Sequence, residues 1–307
     1  MIVRRNLRLS VILKSSWPHI LACLILSSIP TLLYYSHIKI IYSLNVPVAV
    51  LGTTLAFFVG FRNNNAYDRW WEARRIWGEI TNDSRSFAAQ VMSLLHSKFS
   101  SPCETPLALK ELHQELVYRQ IGFAYALKAH LRKQPVETEA KAYFSEEDWK
   151  EVAWQQNIPN AILLQQSQRM GQIFWGNFTE TLHHMQLDNK IGRFYDSMGK
   201  CERIKNTIFP RQYDYFAIIT FYVFMILLPL SVAEHTRMLT IPICTMIGFI
   251  FYILQRVGQN IENPFDFTVN DIAMNAICKN IEMNLKQMLG DKENLPAPEP
   301  VVDGFLM

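Results

Sequence analysis

Residues 44–75 read LNVPVAVLGTTLAFFVGFRNNNAYDRWWEARR, and the change of character midway through them decides the fold. Between Lys39 and Arg62 lie 22 residues without a charge. A helix rising about 1.5 Å per residue makes that run about 33 Å long, enough for a hydrocarbon core of about 30 Å. The run ends in three asparagines, a Tyr-Asp-Arg step and a tryptophan pair. Asn and Arg want water, and tryptophan rings settle where lipid meets water. The helical spacing continues past that border. Ala73, Trp77, Ile80, Ser84, Phe87, Val91 and Leu94 recur at three and four residues, with no proline before Pro102. One helix is therefore expected to leave the bilayer and run on in water as an amphipathic rod.

Working outward, three more uncharged runs appear. Ser15–Ile38 spans 24 residues, Tyr215–Ala233 spans 19 and Met238–Gln255 spans 18. Each is long enough for a membrane helix. The first is longer than a signal-peptide core and has no small-x-small site after it. Trp17 and the Tyr34-Tyr35 pair mark its two interfaces, and Pro30 is expected to kink it. Only Glu234–Arg237 separates the last two runs, so they form a tight antiparallel hairpin. The fold class is an all-α integral membrane protein with four transmembrane helices, at about 16–38, 42–61, 214–233 and 238–255. A large helical cytoplasmic region takes residues 62–211 and 256–290, and a Pro-rich tail takes 291–307.

Basic residues orient the spans. Arg4, Arg5, Arg8 and Lys14 flank the first run, Arg62, Arg69, Arg74 and Arg75 follow the second, and Arg203, Lys205 and Arg211 precede the third. The opposite side offers only Lys39 and Arg237. By the positive-inside rule both termini and segment 62–211 are cytoplasmic. Within that segment, Pro106 opens a helix to about Lys133, Ser145 before Glu146-Glu147-Asp148 signs a capped helix, and Asn160 starts another. The run from Asn177 to about Lys205 has helical recurrence broken at Gly192. Asn270-Asp271 is read as the cap of a last helix, with Gly290 behind it.

The chain's net charge is +3, with no basic cluster among aromatics, so no nucleic-acid partner is indicated. The five cysteines show no C-x-x-C spacing, which argues against a disulfide framework and a zinc site. There is no Gly-rich phosphate loop, G-x-S-x-G or H-E-x-x-H. His183 and His184 are adjacent and point about 100° apart on a helix, so they do not share a metal. No catalytic residue, cofactor or metal is expected, and the chain is not read as an enzyme. The uncharged runs also lack the ionisable midplane residue of coupled transporters and pumps. What is left is a scaffold, a partner-dependent subunit, or a pore closed by several copies. Thr53, Phe57 and Phe61 lie four apart along one line of the second helix. Around an axis of copies they would stack as one hydroxyl and two phenyl rings, an apolar neck that gates by dewetting. The same spacing also suits plain packing or lipid contact.

Three stretches then add a family resemblance. GFRNNNAYDRWWEARRIWG (60–78), KCERIKNTIFP (200–210) and NIENPFDFTVNDIAMNAI (260–277) resemble, in this order, segments of the bestrophin family in its bacterial branch. The resemblance implies a homopentameric ion channel of a bacterial inner membrane, passing chloride or monovalent cations through an axial pore. It implies a neck at Thr53, Phe57 and Phe61, and a cytosolic constriction for which Leu182 is the nearest match. The implied partners are further copies of the chain, the bilayer and monovalent ions. A non-conducting membrane scaffold or accessory subunit is the alternative. Three departures modify the expectation. The segment after Asn263-Pro264-Phe265 holds two separated acids, Asp266 and Asp271, where animal members carry an acidic run. Calcium takes six to eight oxygens, so no calcium gate is expected. Asp266 stands where the bacterial pattern favours Gly, and Thr53 stands where the outer neck is commonly aliphatic.

Overall fold

A computed structural model of the chain describes residues 9–36, 47–95, 106–208, 210–268 and 270–301. Arg4, Arg5, Arg8, His37, Lys39, Cys103, the first residues of the 42–61 span and the last six of the tail lie outside the described residues, as does the Lys14 side chain. Among the described residues every regular element is helical. In chain order they are α1 (Leu9–Tyr35), α2 (Val48–Leu94), α3 (Pro106–Arg132), α4 (Glu137–Ala140), α5 (Glu146–Ala153) and α6 (Ile158–Trp175). Then follow α7 (Thr181–Asn206), α8 (Arg211–Thr236), α9 (Thr240–Ile261) and α10 (Met274–Met288). Packing divides the chain into two compact units, with the division falling inside α2 between Trp70 and Trp71.

The apolar unit takes the described residues of Arg4–Trp70 and Ile208–Asn263. In it α1, α8 and α9 pack against one another, and the first half of α2 joins through Val48, Leu55 and Val59. These meet Cys23 of α1, Phe224, Met225 and Leu228 of α8, and Cys244 of α9. Small residues let the helices approach. A β-carbon on Gly52 would stand 3.1 Å from the Phe224 ring, and one on Gly248 would crowd Met225 and Cys23. Two polar contacts also join these helices: Ser27 and Thr245 share a 3.0 Å hydrogen bond, and the Tyr35 hydroxyl donates to the Ala233 carbonyl at 3.2 Å. Among the described residues two helical stretches, Ser16–Tyr35 and one within Thr181–Ile261, are long and apolar enough to cross a bilayer. The α8–α9 connector is the 3-10 turn Arg237–Leu239, not Glu234–Arg237, because α8 continues to Thr236 before Arg237 turns the chain with a positive φ of 50°.

The mixed unit holds residues 71–207 and those from Pro264 on. The stripe read from the sequence is its core. Ala73, Trp77, Ile80, Ser84, Phe87 and Val91 are each 0% exposed, and Leu94 is half-buried. Phe194 of α7 meets Phe87 edge-on at 6.1 Å and Phe123 of α3 at 5.7 Å. Three sequence expectations change here. The cap of α6 is Asn157, whose side chain accepts from the Asn160 amide at 3.2 Å, since Pro159 takes the first turn. Helix α7 runs through Gly192 without a break. Asn270-Asp271 does not cap α10, which begins at Met274 behind Ala273. Asp271 is instead buried and accepts from the Thr268 hydroxyl. Gly290 does end the helix region, at φ 89°.

Candidate functional site

The first half of α2 has two faces that differ in what they touch. Leu55 and Val59 face the core at 1% and 4% exposure. On the other side Thr53 is exposed, Phe57 is 62% exposed and Phe61 50%. The three expected neck residues are therefore brought onto one outward stripe of one helix. The two rings meet edge-on, with centroids 4.3 Å apart and planes at 72°. The Thr53 hydroxyl donates to the Ala49 carbonyl at 2.9 Å, so it presents its lone pairs outward and keeps its proton for the helix. An apolar side chain left outside its own subunit's core is stabilised by another surface, whether lipid or a second copy. Leu182 belongs to the other unit. It is the second residue of α7, 71% exposed, on the helix that carries Cys201-Glu202-Arg203-Ile204 further along.

The charges just after Phe61 form a feature that the sequence reading did not find. Arg62 is only 3% exposed. Its Nε lies 2.7 Å from Asp214 of α8, and its Nη2 lies 3.0 Å from Glu262 beyond α9. Asn63 follows by donating to the Leu254 carbonyl of α9 at 2.9 Å. One guanidinium with two carboxylates thus ties three helices of the apolar unit at one end. The sequence signal was there: Asp214 and Glu262 are lone acids at the same end of their runs as Arg62. By its place at the end of an apolar run alone, Arg62 reads as a cation facing water.

The stretches that carry the resemblance meet in the mixed unit. Arg203 reaches Glu72 at 2.7 Å, and Lys205 reaches Asp266 at 2.6 Å. Cys201 is fully buried, and burial pushes its thiol well above its ordinary range. Phe265 is 1% exposed, and the Pro264 carbonyl accepts the Ile272 amide at 3.3 Å. Of the acids after Pro264, Asp266 stays exposed and pairs with the Lys205 ammonium, while Asp271 is buried and held by a hydroxyl. Elsewhere in this unit burial, backed by the Tyr143 and Glu282 charges, drives the Tyr125 hydroxyl far above its usual range. His184 stacks on Phe174 at 4.7 Å, and no group of three or more metal-ligating side chains occurs among the described residues.

Among the described residues the chain is all-helical, with long apolar helices and an outward phenyl stripe on one of them, features that membrane helical bundles share. A model of the bacterial/fungal bestrophin proteins matches residues 3–287, and the chain belongs to that family. It is 32% identical over 271 residues to the voltage-dependent anion channel-forming protein YneE of Salmonella typhi, covering 86% of this chain and 82% of the relative. It is 27% identical over 293 residues to a voltage-dependent anion channel-forming protein of Nostoc, covering 94% and 92%. The crystal structure of a bacterial bestrophin homolog from Klebsiella pneumoniae superposes with a TM-score of 0.79 at 27% identity, over 89% of this chain and 98% of that one.

Proposed function

We propose that the chain is one subunit of a homopentameric anion channel in a bacterial inner membrane. The observation that carries the reading is the outward stripe on α2. Its other face is packed against its own subunit, yet Phe57 and Phe61 are left at 62% and 50% exposure. Copies standing around an axis would cover those rings with one another and build an apolar neck that excludes hydrated ions until it wets. Phenyl edges carry the positive end of the ring quadrupole, and the edge-on pairing of Phe57 and Phe61 leaves edges available to an anion. The names of the relatives favour the same sign of charge. Thr53, at one end of the stripe, shortens the dry section. Four helices span the membrane in this reading, α1, the first half of α2, α8 and α9, with both termini and residues 62–211 in the cytoplasm. The spanning role of the second helix is supported by the 22-residue uncharged run between Lys39 and Arg62. Leu182 is proposed as a cytosolic constriction on its exposure and its place on α7.

The test is the full chain reconstituted in planar bilayers under a chloride gradient, with mass measured in detergent. Currents that reverse near the anion potential, and a mass of five chains, are expected. A mass of one chain, or silent bilayers from intact pentamers, refutes the pore and leaves a scaffold. Phe57→Ala with Phe61→Ala should raise conductance by removing both rings.

A further inference from the structure

Between α1, α8 and α9 the apolar unit contains a cleft of about 210 Å³. Its lining is sorted by depth. Toward the end where α1 begins and α9 finishes stand His19, Gln255, Arg256 and Gln259; further in are Cys23, Leu26 and Phe221. His19 stacks on Tyr252 with ring centroids 4.0 Å apart, which closes one wall. Arg256 is exposed and has no carboxylate within 4 Å among the described residues. The acids of this end, Asp214 and Glu262, are held by Arg62. The cleft therefore has a cation unpaired among the described residues and amide side chains at its mouth, and apolar side chains further in. A cleft of that volume suits a compact polar group such as a phosphodiester with its glycerol carbons rather than a whole lipid.

We infer that this cleft binds the headgroup of an anionic phospholipid, with the phosphate on Arg256 and its neighbouring amides and the glycerol end against Cys23, Leu26 and Phe221. Under the membrane reading above, on which this inference rests, the mouth lies at the cytoplasmic border. There a basic pocket between helices suits an acidic headgroup. Guanidinium forks match phosphate oxygens, and the local shortage of free carboxylates leaves the positive charge uncompensated. Choline headgroups bring their own cation next to the phosphate and gain less.

The experiment uses the full chain in neutral detergent, titrated with phosphatidylglycerol, phosphatidylcholine, glycerol 3-phosphate or inorganic phosphate, read by native mass spectrometry and thermal unfolding. Retained phosphatidylglycerol and a raised midpoint are expected, with little response to the other three. Arg256→Gln should weaken phosphatidylglycerol about tenfold, the loss of one charge-assisted contact, while Arg256→Lys keeps most of it. Equal responses to both lipids, an equal response to inorganic phosphate, or an unaffected Arg256→Gln would each overturn the inference. No current enters the readout. A silent channel that retains phosphatidylglycerol therefore removes the function and keeps the site, and a chain soluble without detergent removes the membrane reading itself.

Discussion

Replacing Arg62 by Met removes one charge and keeps the length of the side chain, and the structure sets what that should do. Two carboxylates stand 2.7 and 3.0 Å from the guanidinium. At an effective dielectric of about 20 each contact is worth about 6 kcal/mol of direct Coulomb attraction. Most of that is offset by dehydrating the ions, and removing one partner of a buried pair ordinarily costs about 3–5 kcal/mol, because the other charge is stranded. Here the stranded acids keep some water, Asp214 at 29% exposure and Glu262 at 19%. The lower part of that range applies, about 3 kcal/mol. At about 2.1 cal/mol/K of unfolding entropy per residue, the midpoint of this 307-residue chain in detergent should fall by about 5 °C. The diagnostic step is repair by neutralisation. Asp214→Asn with Glu262→Gln, added to Arg62→Met, should recover most of the loss, since the damage lies in unpaired acids and not in missing volume. A single variant with an unchanged midpoint, or a triple variant as unstable as the single, would refute the clamp.

Three further outcomes are expected. In the pore reading, Thr53→Ile should lower single-channel conductance by lengthening the dry section of the proposed neck, and unchanged currents would take Thr53 out of it. Gly258→Ala puts a methyl into the Asn63 amide oxygen and forces that side chain off the Leu254 carbonyl, costing about 1–3 kcal/mol, measurable as a lower unfolding midpoint. Burial pushes the Cys278 thiol up to about 12 from an ordinary 9.0. Its folded form favours the proton, so the associated stability is complete below pH 9 and fades as pH rises toward 12. Iodoacetamide at pH 8 should leave Cys278 unlabelled in the folded protein and label it in denaturant, and Cys278→Ala should flatten the alkaline loss of stability.

How far the sequence could be read depended on the range of each interaction. The Trp77–Phe87 stripe was legible because a helix repeats every 3.6 residues whatever it packs against, and its members are indeed sealed. The α6 cap was read three residues late because Asn157 and Asn160 are both cap-type residues, and only the backbone says which one accepts. The Arg62 clamp escaped because Glu262 lies 200 positions away in the chain. A charge at the edge of an apolar run is ordinarily an interfacial one, and nothing local says otherwise. Yet that missed cluster governs the site that was read. Successive helical residues turn by about 100°, so a fixed Arg62 leaves Phe61 no freedom about the helix axis. Leu55 and Val59 fall on the Arg62 side and are buried, which sends Phe57 and Phe61 outward together. Asn63 pins the next position to α9. The direction of the phenyl stripe is thus set jointly by the buried Leu55 and Val59 and by the polar residues that follow it. In the pore reading, Arg62→Met should then disturb conductance as well as stability, and the charge-neutral triple variant should restore both.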